Sequence, residues 1–534
     1  MVQYLSNGQS GFQQFMARKG SDQKSGPGST IIWVAIAALA GWLMYSWLAP
    51  KPAAQSQQPK AEIAVQAEDI SQVPLQQMQN PKLGIRVQGL RISGLQLHDY
   101  IESQKEGGNI MLLADNNEFT EIGLLANGTM APTANTVWKS NHADDAAPVT
   151  MIWKNPDGVE FTRTITIENY TVNVTDTIKN TTSRDFSVTP YARIVRNAGA
   201  GAGMATVASG GVAMENNDIR REDWRSIAKK QHAWMTPTGF VGFEDQYWQT
   251  VLHLGAADQT IRLKTLADGR LQAETSAAAV SVPAGQTVTV STNIFAGPKT
   301  QSALGTASAA IPGIEQTIDY GWFWFLTRPF LWSINAIHGF VGNYGVAIIL
   351  FTIFLRILMW PLTRKSFTSM AAMQKMQPQM QRIQKEYAHD KMRMQQEMMK
   401  MYKENKTSPM GGCLPMILQI PIFFALYKVL LISVPMRHAN FLWITDLSVM
   451  DPYFILPIIM GATMWYQMHL QNAASKAQAA DPNNPMAQMQ KFMKWMPIIF
   501  TVMFAFMPAG LVLYWTVSNV FGIGQMWWIK RSSK

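Results

Sequence analysis

Two hydrophobic rhythms divide the chain. Between about residues 76 and 300 apolar and polar positions alternate. Phe161–Ile178 sets Tyr170, Val172 and Val174 against Thr171, Asn173 and Thr175, and Gln286–Phe295 does much the same. Period two marks a strand with one face on a core. Turn sequences such as Asn127-Gly128 and Asn155-Pro156-Asp157-Gly158 separate these runs. Strong helical stripes are few there, which predicts a large antiparallel β-sandwich over residues 76–316. A Gln-, Pro- and Ala-rich linker (50–75) precedes it, and the small-residue stretch Asn197–Gly211 reads as a loop within it.

The second rhythm is that of membrane helices. Ile31–Ala49 is 19 residues without a charge, a helix of ~28 Å, close to the thickness of a bilayer's hydrocarbon. A cleaved signal sequence is the rival reading; the length and three tryptophans favour a retained anchor following a cytoplasmic segment, 1–30. Residues 317–342 crowd Tyr320, Trp322, Phe323, Trp324, Phe325, Phe330 and Trp332 around Arg328-Pro329. Dense aromatics with a polar break suit an amphipathic helix at the headgroups. From 343 to 534, apolar runs at about 343–363, 413–434, 453–470, 495–508 and 510–529 predict a five-span α-helical core. Pro457 interrupts the third of them.

Charge then orients these spans. Residues 51–319 hold 22 Lys+Arg and 27 Asp+Glu, while the remainder holds 23 and 8. The overall +10 thus conceals an acidic soluble part and a basic membrane part. Arg364–Lys406 carries ten basic and four acidic residues, whereas Pro435–Met450 has one basic residue, Arg437. Alternate loops are basic, which predicts cytoplasmic termini and an extracytoplasmic β-domain. Cys413 is the only cysteine, excluding an internal disulfide and any zinc site with two thiolates. No phosphate-binding glycine loop and no nucleophile–base or metal constellation is found. The chain is therefore read as a non-enzyme that needs no cofactor.

Candidate functional residues are polar groups inside the apolar runs. Arg356 is the only charge in Asn343–Thr363. A mid-span charge costs roughly 2.5–3.5 kcal/mol on insertion scales. It either snorkels toward Arg364 or faces a wetted cavity, and Gln419, Ser518, Asn519 and Gln525 in other runs favour the cavity. A transporter using Arg356 as a substrate counter-charge is the alternative, although no internal repeat is seen. Lys428 reads as snorkelling outward. In the basic loop 364–408, Met370, Met373, Met376, Met380 and Ile383 recur at helical spacing, and Met394, Met398 and Met401 follow. Two helices packed as a hairpin explain this stripe, and methionine also suits adaptable contact with apolar partners. The loop's charge further suits anionic lipid or ribosomal RNA.

The second half resembles the YidC/Oxa/Alb family of membrane-protein insertases. The resemblance rests on Tyr320-Gly321-Trp322, Phe340–Asn343, Arg356 with Trp360–Thr363, Asn405–Pro421, Trp443–Pro452, Met496–Phe500 and Pro508–Asn519. The anchor and β-domain match only in architecture, that of the family's Gram-negative inner-membrane branch. The resemblance implies a hydrophilic groove (Arg356, Thr352, Gln419, Ser518, Asn519), open to cytoplasm and lipid. It implies an apolar slide for the exiting helix along Phe423, Met460, Met503, Tyr514 and Trp515. Hairpin contacts would come through Met370, Met373, Met380 and Met398. Implied partners are nascent membrane proteins, the bilayer, the Sec translocon, and the ribosome with signal-recognition targeting factors. With only Lys530–Lys534 beyond the last run, loops 364–408 and 471–494 are the better ribosome candidates. Trp515 stands where relatives often have a second tyrosine.

Overall fold

A computed structural model describes residues 70–103, 107–114, 117–141, 144–197, 209–387, 389–405, 414–472 and 485–532. The expected anchor Ile31–Ala49, most of the linker and most of the stretch 197–211 lie outside them.

The alternating region folds as expected into two antiparallel sheets, one of ten strands and one of nine among the described residues. Phe161–Ile178 becomes a hairpin of strands Glu160–Glu168 and Thr171–Lys179, with Asn169 at φ +54° in its turn. Its register sets Phe161 opposite Ile178 and Ile165 opposite Val174, all buried, so one face of the hairpin builds the core. Strand Thr287–Pro298 continues the sheet, placing Ile294 against Val172. Several charges buried in this half sit directly across a ladder from an opposite charge. Arg163 faces Asp176 and bonds it at 2.8 Å. Arg262 likewise holds Glu274 at 2.8 Å. Glu121 takes Arg193 at 2.5 Å and Arg91 at 3.1 Å.

Two short helices, α1 (Trp224–Lys229) and α2 (Gln301–Ala307), decorate the sheets. Beyond them the chain is helical: α3 Trp324–Val341, α4 Tyr344–Leu358, α5 Trp360–Lys375, α6 Gln377–Glu386 and α7 Lys391–Glu404. Then come α8 Leu414–Ile432, α9 Ile455–Asn472, α10 Pro485–Ala505 and α11 Ala509–Ser532. Helix α3 passes through Arg328-Pro329 without breaking; Arg328 stacks on Tyr320 at 4.6 Å. One side of α3 is buried through Thr327, Phe330, Leu331 and Ile334, while Trp324, Phe325, Trp332 and Phe340 are exposed.

Among the described residues no single helix is long and apolar enough to cross a membrane by itself; α4 with the start of α5 is, but the pair bends by 60°. The bend falls before Pro361, which has no amide for the next helical bond and whose ring crowds the preceding turn. Pro421 and Pro497 lie inside α8 and α10. Pro457 does not interrupt its run. It sits in the first turn of α9, where a missing N–H costs nothing.

Helix α11 packs against α4 and α9, α8 against α3, and α9 against α10. The two halves also touch. Gln246 donates to the Leu431 carbonyl at 3.1 Å. Arg437 donates to the carbonyls of Ile101 and Glu102 at 2.5 and 2.6 Å and lies 5.8 Å from the Trp248 ring.

Candidate functional site

The residues expected to line a groove are carried by α4, α8 and α11. Helix α4 starts cleanly because the Asn343 side chain accepts the Val346 N–H at 3.1 Å. Tyr344, Ala347, Ile348, Phe351, Thr352 and Leu355 form its buried stripe. Arg356 follows one turn after Thr352, and its guanidinium donates to the Ser518 hydroxyl through Nε at 2.7 Å and also through Nη2. Among the described residues no carboxylate pairs with it. Beside Ser518 lies Tyr514, fully buried, whose hydroxyl accepts a bond from Gln419 Nε2 at 2.7 Å. A continuous polar array, Gln419–Tyr514–Ser518–Arg356, thus joins three helices that sequence keeps far apart.

The other expected groove residues fall around this array. The Thr352 hydroxyl donates to its own helix, at the Ile348 carbonyl (2.6 Å). Asn519 turns toward α9, donating to the Met460 carbonyl at 3.4 Å and to Thr463 at 3.3 Å. Of the expected slide, Phe423 and Trp515 meet edge-on, with ring centres 5.6 Å apart. Met460 is fully buried, Met503 faces outward, and Tyr514 joins the polar array instead. Phe500 and Phe504, which the sequence reading passed over, complete the apolar group: Phe504 lies 5.1 Å and Phe500 6.1 Å from Trp515. Their four-residue spacing in an apolar run was the available signal.

In the basic loop, α6 and α7 pack through Met376, Met380, Met401 and Tyr402, with Ile383 and Met398 partly covered. Two of the four expected contact methionines, Met380 and Met398, therefore serve the hairpin's own core. The side chains of Met370 and Met373 lie outside the described residues. Among the described side chains of this loop, Met392 and Met399 are exposed.

Lys428 has a protein partner that the snorkelling reading did not supply. It pairs with Asp319 at 2.6 Å, joining α8 to the connector between the two halves. Burial alone would raise the Asp319 pKa. The lysine beside it and the Gly321 N–H it accepts at 2.9 Å outweigh that and hold its carboxyl below the usual range.

Two family models match in tandem: "YidC periplasmic domain" over residues 77–333 and "60Kd inner membrane protein" over 336–534. A membrane protein insertase YidC of Methylobacillus flagellatus is 35% identical over 471 residues, covering 85% of this chain and 83% of the relative. Another, of Aeromonas hydrophila, is 38% identical over 410 residues, covering 74% and 73%. The chain belongs to the YidC family of membrane protein insertases. A solved active YidC insertase, with its first transmembrane domain resolved, aligns over 92% of this chain and 98% of its own at 18% identity, with a TM-score of 0.36. The family models assign the YidC sheet half to the periplasm and the helical half to the inner membrane.

Proposed function

We propose that this chain inserts inner-membrane proteins by receiving the polar or acidic tail of a nascent substrate at Arg356. The cation inside the apolar run of α4 carries the reading: it is held by a serine and has no carboxylate partner among the described residues. An arginine left uncompensated in apolar surroundings is costly, and an arriving acid removes that cost. A tail passing through a wetted groove crosses a thinner apolar barrier than one crossing the whole bilayer. Burial of the substrate's own apolar helix, at about 25 cal/mol per Å², drives the step, so no ATP is needed. The aromatic group at Phe423, Phe500, Phe504 and Trp515 offers the exiting helix an apolar wall.

In this proposal Ile31–Ala49 anchors the chain, five spans form the core, and both termini are cytoplasmic. The protein acts alone or beside the Sec translocon, and its basic cytoplasmic loops meet the ribosome and targeting factors. The test is reconstitution in liposomes with a single-span substrate bearing an acidic N-tail. Protease protection of the tail should depend on this protein, and protection unchanged by its omission refutes the proposal. Insertion of acidic-tailed substrate should be impaired by Arg356→Ala and partly restored by Arg356→Lys. Neutral-tailed substrate should be affected less.

A further inference from the structure

Gln525 is buried in α11, and its side-chain oxygen has no hydrogen-bond partner among the described residues. A buried amide oxygen without a donor is costly, and native structures rarely keep one without a use. Position decides what that use is. Residue 525 follows Tyr514 by eleven and Ser518 by seven, each within about 20° of a whole number of helical turns. It therefore shares the α11 face that carries the polar array, displaced from Ser518 by ~10 Å along the axis. Phe521 and Trp528, four before and three after, flank it on that face. Trp360, at the α4–α5 elbow, lies against both of these rings, at 6.3 and 5.3 Å, and so covers this part of the face.

We infer that Gln525 is a second substrate-binding residue of the groove, accepting a hydrogen bond from a side-chain N–H donor (Asn, Gln, Lys or Arg) on the tail whose acid is held at Arg356. The inference rests on the function proposed above and deepens it. The two groups are complementary: the guanidinium only donates, and the amide oxygen accepts. An extended chain rises ~3.3 Å per residue, so the donor lies about three residues from the acid. Tails of that composition gain both contacts, while a tail with the acid alone gains one. Trp360, sited at the bend, is the side chain that moves aside to admit the tail.

Disulfide trapping in a Cys413→Ser background tests this. Gln525→Cys is paired with single cysteines walked along the substrate tail, and Val520→Cys, exposed on another face, serves as the control. Trapping should peak about three residues from the acid and exceed the control; yields no higher than the control overturn the inference. In parallel, Gln525→Leu should lower insertion of tails bearing both acid and donor roughly 3- to 10-fold, the worth of one hydrogen bond, and leave acid-only tails unchanged. Equal insertion of both tails by Gln525→Leu and the parent also overturns it. If dependence on Arg356 persists in that case, only Gln525 has lost its role; if it too is missing, the groove reading itself has failed.

Discussion

The sheet half and the helical half hold arginine in opposite ways. Arg163, Arg193 and Arg262 each face a carboxylate directly across a β-ladder at 2.8 Å or less. Arg356 is half-buried against a serine hydroxyl, and no described carboxylate pairs with it. Desolvating a charge is expensive in either place. Where it is compensated inside the fold, the charge belongs to the architecture; where it is not, the proposal above has the compensation arrive with the substrate. On the function proposed above, the contrast separates residues that hold the protein together from a residue that works on substrate.

The sharpest way to break that contrast is to remove one partner of a sheet pair. Asp176→Ala leaves Arg163 buried and unpaired and should cost about 3–5 kcal/mol, read as a fall in the unfolding transition of the sheet half. Replacing both with apolar residues (Arg163→Met, Asp176→Leu) should restore most of the loss. A small effect of Asp176→Ala would mean that pairing there is incidental. Next in size, Arg356→Ala should reduce acidic-tail insertion about tenfold, equivalent to about 1.4 kcal/mol, with little change in the unfolding transition. A large loss of stability instead would make Arg356 one more architectural charge.

The smallest effect is expected at the clasp between the halves. Asp319→Asn should cost no more than about 1 kcal/mol, since the pair is partly exposed to solvent. Its pH dependence has a fixed sign. The carboxyl titrates lower in the folded protein than in the unfolded chain, so its contribution is complete above the ordinary carboxylate pKa of about 4. That contribution is lost as pH falls through the depressed folded value. The gap in Tm between parent and Asp319→Asn should therefore be constant at pH 5–7 and close below about pH 4. A gap that widened on acidification would contradict the pairing.

How much of this was legible depended on the range of the interactions. Alternation along Phe161–Ile178 is local, and one face of that hairpin meets the core, so the strands could be read directly. The order of strands in the two sheets could not, because it depends on pairings such as Ile294 with Val172, more than a hundred residues apart. Arg356 stood out as a lone charge. Its serine partner, 162 residues away, was named only as one polar group among several. The methionine stripe announced a hairpin, but not which methionines it would consume: Met380 and Met401 turned inward, and Met392 and Met399 stayed out. The partner of Lys428 was missed because its span was considered alone. The nearest opposite charge on that side, Asp319, lies in the aromatic connector, and only folding brings the two together.

The clasp has a consequence for inheritance. Gly321 adopts φ +71°, and a β-carbon there would sit 3.3 Å from Cγ of Lys428. A larger residue at 321 would therefore strain its own backbone and crowd the lysine's stem together. Positions 321 and 428 form a single mutational unit. In a library varying both, lysine at 428 should survive almost only beside glycine at 321, while short side chains at 428 should relax that demand.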